Sequence, residues 1–119
     1  MTVIPVVLIV TAAAALGAWL LLLWFKRVRR PVLIGFHVLL GVGSTETLVV
    51  FLHTSDLGRD SVPWSIAIGG LGCLAASILT GFSAPLFRNY RTVANSFLAA
   101  HVATGVAGFV AVLVLASRL

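Results

Sequence analysis

Charged residues are scarce in this chain of 119 residues: Asp, Glu, Lys and Arg make up 9% of it, against 61% hydrophobic residues. A soluble domain carries about a quarter charged residues, so the composition excludes an ordinary soluble fold. The single cysteine, Cys73, excludes a disulfide framework and any all-cysteine iron–sulfur or zinc site. The basic residues lie between apolar runs, and no glycine-rich loop follows a strand pattern. Neither a nucleic-acid surface nor a nucleotide site is therefore expected.

Long apolar runs fill most of the chain. Four of them reach the roughly 20 residues that a helix needs to cross a hydrocarbon core, and their lack of alternation favours helices over strands. Short connections force consecutive helices to be antiparallel. The sequence therefore predicts an all-α integral membrane protein, an up-down-up-down four-helix bundle forming one transmembrane domain over residues 1–119. The predicted spans lie at about 3–25, 32–53, 62–84 and 92–116.

The cations are concentrated in two of the three connecting loops. Loop 26–31 holds one lysine and three arginines, and loop 85–91 holds two arginines. The middle loop has a single cation, Arg59, beside two aspartates. Because positively charged loops stay on the cytoplasmic side, loops 26–31 and 85–91 are predicted to be cytoplasmic and both termini to lie outside.

An internal repeat relates the two halves of the chain at an offset of 64 residues. Eight residues starting at His37 read HVLLGVGS, and eight starting at His101 read HVATGVAG. The same offset aligns Gly17 with Gly81. The repeat predicts two copies of a helical hairpin around an approximate two-fold axis along the membrane normal. The two histidines would then face each other across the bundle.

Small residues follow each histidine on its own helix face. A flat macrocycle between two helices needs an axial nitrogen from each side and small residues where its edge nears the backbone. The pattern therefore predicts one b-type haem with both histidines as ligands of the iron. The predicted site comprises His37, Gly41, Ser44, His101, Gly105 and Gly108. The candidates for pairing with the haem propionates are the cytoplasmic residues Arg27, Arg29, Arg30, Arg88 and Arg91.

This pattern resembles the haem-bearing four-helix bundle of the cytochrome b family, which also carries its ligands on the second and fourth helices. There, too, glycines let the porphyrin approach the backbone. The resemblance covers helices two and four, about half of the chain, and implies an electron-transfer role. That family has two histidines on each ligand helix and binds two haems, whereas here His53 aligns with Ser117. A second haem with two histidine ligands is therefore not expected, and no quinone site is carried over.

Glu46 is the only charged residue in the interior of a predicted span. Burying an ionised carboxylate in hydrocarbon costs on the order of a few kcal/mol or more, so the residue should be protonated, paired or lining a wet cavity. His53 lies on nearly the same helix face. Two interpretations stay open: a proton or quinone site formed by these two residues, or a protonated Glu46 that hydrogen-bonds a neighbouring helix or another subunit. The second is favoured because no further acidic residue or lysine completes a relay.

The predicted function is therefore an electron-transfer or anchor subunit of a larger respiratory or redox complex. It would lie in the lipid bilayer against other membrane or redox subunits, with quinone as a candidate acceptor and no catalytic residue of its own. A cofactor-free accessory subunit, in which His37 and His101 only pack against other helices, is the main alternative. A small proton-coupled transporter is the other. Small multidrug transporters resemble the chain in size and topology, but their essential glutamate is in the first helix and Glu46 is in the second.

Overall fold

The computed structural model describes residues 2–119, which form four α-helices. They are α1 (Ile4–Phe25), α2 (Pro31–Thr54), α3 (Val62–Leu86) and α4 (Arg91–Ser117). The all-α prediction is thus confirmed, and the helix ends lie within two residues of the predicted spans. Each helix is long and apolar enough to cross a membrane.

Three helices have a proline in their first turn, and one of them also begins with a hydroxyl cap. Pro5, Pro31 and Pro63 occupy the first turns of α1, α2 and α3, where a missing N–H breaks no helical hydrogen bond. Ser61 caps α3, because its hydroxyl oxygen accepts the backbone N–H of Trp64 at 3.2 Å. After α1 the chain turns at Arg27, whose φ of 56° lies in the left-handed region.

The helices form a ring in which each packs against its two neighbours: α1 contacts α2 and α4, and α3 contacts the same two helices. α2 and α4 lie diagonally opposite, and no described Cα atom of one comes within 8 Å of the other. The molecule measures 46 × 23 × 19 Å, with the helices along its long axis. One half of the bundle holds the chain termini and the α2–α3 loop, and we call it the terminal half. The other, the loop half, holds the α1–α2 and α3–α4 loops.

The packed core lies in the terminal half. Its buried apolar cluster draws on all four helices and comprises Val6, Val10, Leu48, Phe51, Leu52, Ala67, Leu74, Val112 and Leu115. On the loop side of the two histidines, the only buried residues in the described helices are Ala84 and Ala94. Other loop-side residues are half-buried or exposed, and Phe87 stacks on Phe97 with ring centroids 5.3 Å apart.

Candidate cofactor site

His37 on α2 and His101 on α4 lie opposite each other at the junction of the two halves. Their ring centroids are 5.8 Å apart and their planes meet at 86°. Both side chains are half-buried. The structure thus brings together two histidines that lie 64 residues apart in the sequence.

The first helix of its own hairpin holds each imidazole. Nδ1 of His37 lies 3.1 Å from the backbone oxygen of Ala13, and Nδ1 of His101 lies 2.7 Å from that of Ser77. A carbonyl oxygen can only accept, so Nδ1 carries the hydrogen in both rings. The lone pair of each neutral imidazole is then on Nε2. This is the tautomer in which second-shell carbonyls hold metal-ligating histidines.

Ser77 gives the second hairpin a hydrogen bond that the first one lacks. The Ser77 hydroxyl donates to the backbone oxygen of His101 at 3.0 Å. The Ser77 hydroxyl oxygen also lies 3.1 Å from Nδ1 of the His101 ring. Because the hydroxyl proton is already donated, the oxygen serves as an acceptor for Nδ1–H. Ala13 supplies the matching carbonyl without a hydroxyl. The single Nδ1–H of His101 is therefore shared between two acceptor oxygens, whereas that of His37 has one acceptor.

Two glycines lie directly against the rings. A Cβ atom on Gly17 would meet Cε1 of His37 at 2.8 Å, and one on Gly81 would meet Nδ1 of His101 at 2.7 Å. A larger residue at either position would displace the imidazole. The repeat aligned these glycines, but the sequence did not predict their contact with the rings. The available signal was the spacing of 20 residues from glycine to histidine in both hairpins.

The small residues that follow the histidines differ in their surroundings. Around Gly41 there is open space, with no atom within 4 Å of an added Cβ. Gly105 lies against the Ser77 hydroxyl, and Gly108 lies against Leu74. Ser44 is buried and donates to the backbone oxygen of its own helix one turn earlier. Contact with a cofactor stays a prediction for these residues, and Gly41 is the one beside free space.

The imidazole pair offers the donors that a haem iron takes, and its ring separation is compatible both with shared ligation and with direct edge-to-face contact of the two rings. Two ring nitrogens that bind one metal ion at about 2 Å each place the ring centres roughly 6 Å apart, close to the observed separation. Neither Nε2 has a hydrogen-bond partner among the described residues. Every fully buried side-chain nitrogen in the described part of the chain does have a partner, so neither Nε2 is fully buried. Both Nε2 atoms therefore keep accessible surface, and the sparsely packed loop half lies next to them.

The five candidate arginines lie at the loop-half end. Arg27, Arg29 and Arg30 follow α1, Arg88 is in the α3–α4 loop and Arg91 begins α4. All are exposed. Their pairing with propionates stays a prediction, and their position at the end next to the open half is compatible with it.

Glu46 and His53 do not join the histidine pair. Both are exposed on the outer surface of α2, and His53 lies in its last turn. A proton or quinone site at these two residues would therefore open outward from the bundle.

Comparisons with known proteins leave this site without a precedent. No family model matches the chain, and no match is found among curated proteins or solved structures. The resemblance to the cytochrome b family therefore rests on His37, His101 and the residues around them.

Proposed function

We propose that this protein is an integral membrane protein that binds one b-type haem through His37 and His101. We further propose that it acts as an electron-transfer or anchor subunit of a larger respiratory or redox complex. One observation carries the proposal: two half-buried imidazoles lie 5.8 Å apart, each with Nδ1 bonded to a carbonyl and with no described residue bonded to its Nε2.

The residues of the chain hold the two ligands in place. The backbone oxygens of Ala13 and Ser77 accept from Nδ1 of the two rings and so fix both tautomers. Gly17 and Gly81 allow close approach of the first helix to each ring. When bound, haem would supply a one-electron carrier inside the membrane.

The four apolar helices support insertion into a bilayer. The cations at the loop-half end support a topology with loops 26–31 and 85–91 in the cytoplasm and both termini outside. In this orientation the arginines would face the cytoplasm, close to the open half of the bundle. Propionates at that side would then meet basic groups.

Burial at matched positions supports two hairpin repeats. Residues 64 positions apart are buried in both hairpins, although their side chains differ. The pairs are Val6 with Gly70, Val10 with Leu74, Ala13 with Ser77, Ser44 with Gly108, Leu48 with Val112, and Phe51 with Leu115. The two hairpins nevertheless differ in how closely their helices pack, since α3 and α4 are in closer contact than α1 and α2.

A lone electron carrier needs a donor and an acceptor. Redox subunits that contact this chain would provide one or both, and quinone dissolved in the bilayer is a candidate acceptor. The large apolar side chains exposed on the loop half are compatible with such contacts or with lipid.

A cofactor-free structural subunit is the second candidate function. The Nδ1 hydrogen bonds join α2 to α1 and α4 to α3, as packing histidines also do. This interpretation leaves both Nε2 atoms without a hydrogen-bond partner among the described residues, which haem ligation would explain.

The visible spectrum tests the proposal. The protein would be expressed with haem supplied, purified in mild detergent and measured oxidised and after reduction with dithionite. We expect the sharp reduced band of a low-spin b-type centre, lost in His37→Ala and in His101→Ala. His53→Ala is the matched control and should keep the band. Absence of haem absorbance from a protein with intact helical circular dichroism would overturn the proposal and favour the structural role.

A further inference from the structure

Glu46 lies near the middle of α2 with its side chain on the outside of the bundle. The hydroxyls of the adjacent Thr45 and Thr47 are donated to backbone oxygens of their own helix. In the described part of the chain, no group donates to or accepts from the Glu46 carboxyl. If α2 crosses a bilayer, this carboxyl therefore faces hydrocarbon unless another molecule covers it.

An uncovered carboxyl at this depth is unfavourable. An ionised group loses its hydration, and even a protonated one leaves a donor and an acceptor unpaired. Polar side chains in membrane helices commonly meet this need by bonding across a helix–helix interface. A partner helix with a hydrogen-bonding group at the same depth would satisfy Glu46.

The residues around Glu46 form a continuous face suited to helix packing. The Glu46 face, as we call it, follows alternating steps of four and three residues and consists of Gly35, Leu39, Val42, Glu46, Val49 and His53. All are exposed except Val42, which is half-buried. Residues separated alternately by four and three positions can all contact one partner helix along the length of α2. Gly35 leaves the backbone open at one end, since nothing lies within 4 Å of an added Cβ.

The second hairpin folds without a carboxyl at the position equivalent to Glu46. Val110 on α4 is the residue 64 positions after Glu46, and it is 49% exposed. The same outward position is thus filled by an apolar residue in the matching helix. Glu46 is therefore better explained by a contact made outside the bundle.

We propose that a second copy of this chain covers the Glu46 face, in a parallel two-fold contact between the two α2 helices where the Glu46 carboxyls bond each other. A two-fold interface places residues near the axis against themselves. A protonated carboxyl has both a donor and an acceptor, so it is complementary to its own copy. Two copies inserted in the same orientation have parallel α2 helices at equal depth. The contact is independent of haem, because Glu46 faces away from the histidine pair.

Cysteine cross-linking in native membranes locates the contact. In a Cys73→Ala background, Val42→Cys and Val49→Cys place single thiols on the Glu46 face. Val106→Cys and Leu113→Cys are the matched controls at the equivalent positions of α4, and Leu113 is as exposed as Val49, at 41% and 38%. Mild oxidation should convert most of at least one α2 variant into a disulfide-linked dimer and leave the α4 variants monomeric. Equal cross-linking on both helices, or none on α2, would overturn the proposal.

Substitution of Glu46 tests the carboxyl pair. Energy transfer between donor-labelled and acceptor-labelled copies in phospholipid vesicles reports the dimer, and circular dichroism reports folding. Glu46→Gln keeps a self-complementary donor and acceptor and should keep most of the transfer. Glu46→Val, which copies Val110, should lose most of it while staying helical. A folded Glu46→Val protein that remains fully dimeric would contradict the proposal. A monomeric unmodified protein would do so as well and would leave the face to another subunit or to lipid.

Discussion

Gly17 lies so close to the His37 ring that a Cβ atom at this position would be 2.8 Å from Cε1 of the imidazole. The second hairpin repeats the arrangement with Gly81 and His101. The backbones of α1 and α3 therefore limit where the two rings can lie. The position of each imidazole thus depends on a residue that has no side chain of its own.

Gly17→Ala and Gly81→Ala should each displace one imidazole. Overpacking of this kind costs about 1–3 kcal/mol, and displacement of a ring moves its Nε2 relative to the other histidine. We expect a lower melting temperature and a weakened or lost reduced b-type band. Gly72→Ala is the control, because no atom lies within 4 Å of a Cβ there. If both Gly17→Ala and Gly81→Ala keep the reduced b-type band at the intensity of the unmodified protein, neither glycine positions a haem ligand.

Ser77→Ala should lower the stability of the protein without removing haem ligation by His101. The substitution removes the hydroxyl that bonds His101 but keeps the backbone oxygen 2.7 Å from Nδ1. Loss of one such hydrogen bond costs about 1 kcal/mol. We expect a lower melting temperature with the b-type spectrum intact, as His37 already lies opposite an alanine. Complete loss of the band would instead make the hydroxyl essential for placing His101.

Ala13→Ser is the reciprocal change. It would offer the His37 ring the hydroxyl that the second hairpin already has, at the matching position of the repeat. Since Ala13 is buried, the added oxygen must find room. A serine that raises or preserves the melting temperature would indicate that both hairpins accept the same polar contact.

Labelling from one side of the membrane tests the topology. In a Cys73→Ala background, Gly58→Cys places a thiol in the α2–α3 loop and Asn89→Cys places one in the α3–α4 loop; both positions are exposed. Because cations stay on the cytoplasmic side, an impermeant maleimide added to intact cells should label Gly58→Cys at once. It should label Asn89→Cys only after permeabilisation. The opposite pattern would invert the topology and move the arginine-rich end outside.

The helix positions could be predicted because the apolar runs are long and short polar loops separate them. The proximity of the two histidines could be predicted because the residues around them match at an offset of 64 residues. The contacts of Gly17 and Gly81 could not, because they depend on how each hairpin rotates and how closely its helices approach. Helices that are apolar on all sides give no amphipathic signal for their inner face. The outward direction of Glu46 was indicated, because its nine-residue separation from His37 places it about 180° round the helix from the inward-facing histidine.

Leu48 should contribute far more to stability than an exposed leucine of the loop half. It is fully buried in the terminal-half core, whereas Leu79 on α3 is 69% exposed. Leu48→Ala removes van der Waals contacts and leaves a cavity, which costs about 2–5 kcal/mol. Leu79→Ala should change stability by no more than about 0.5 kcal/mol, as surface substitutions usually do. Thermal unfolding followed by circular dichroism in detergent would measure both. If Leu48→Ala and Leu79→Ala have the same melting temperature, the terminal-half core does not stabilise the bundle. Other contacts must then close the loop half.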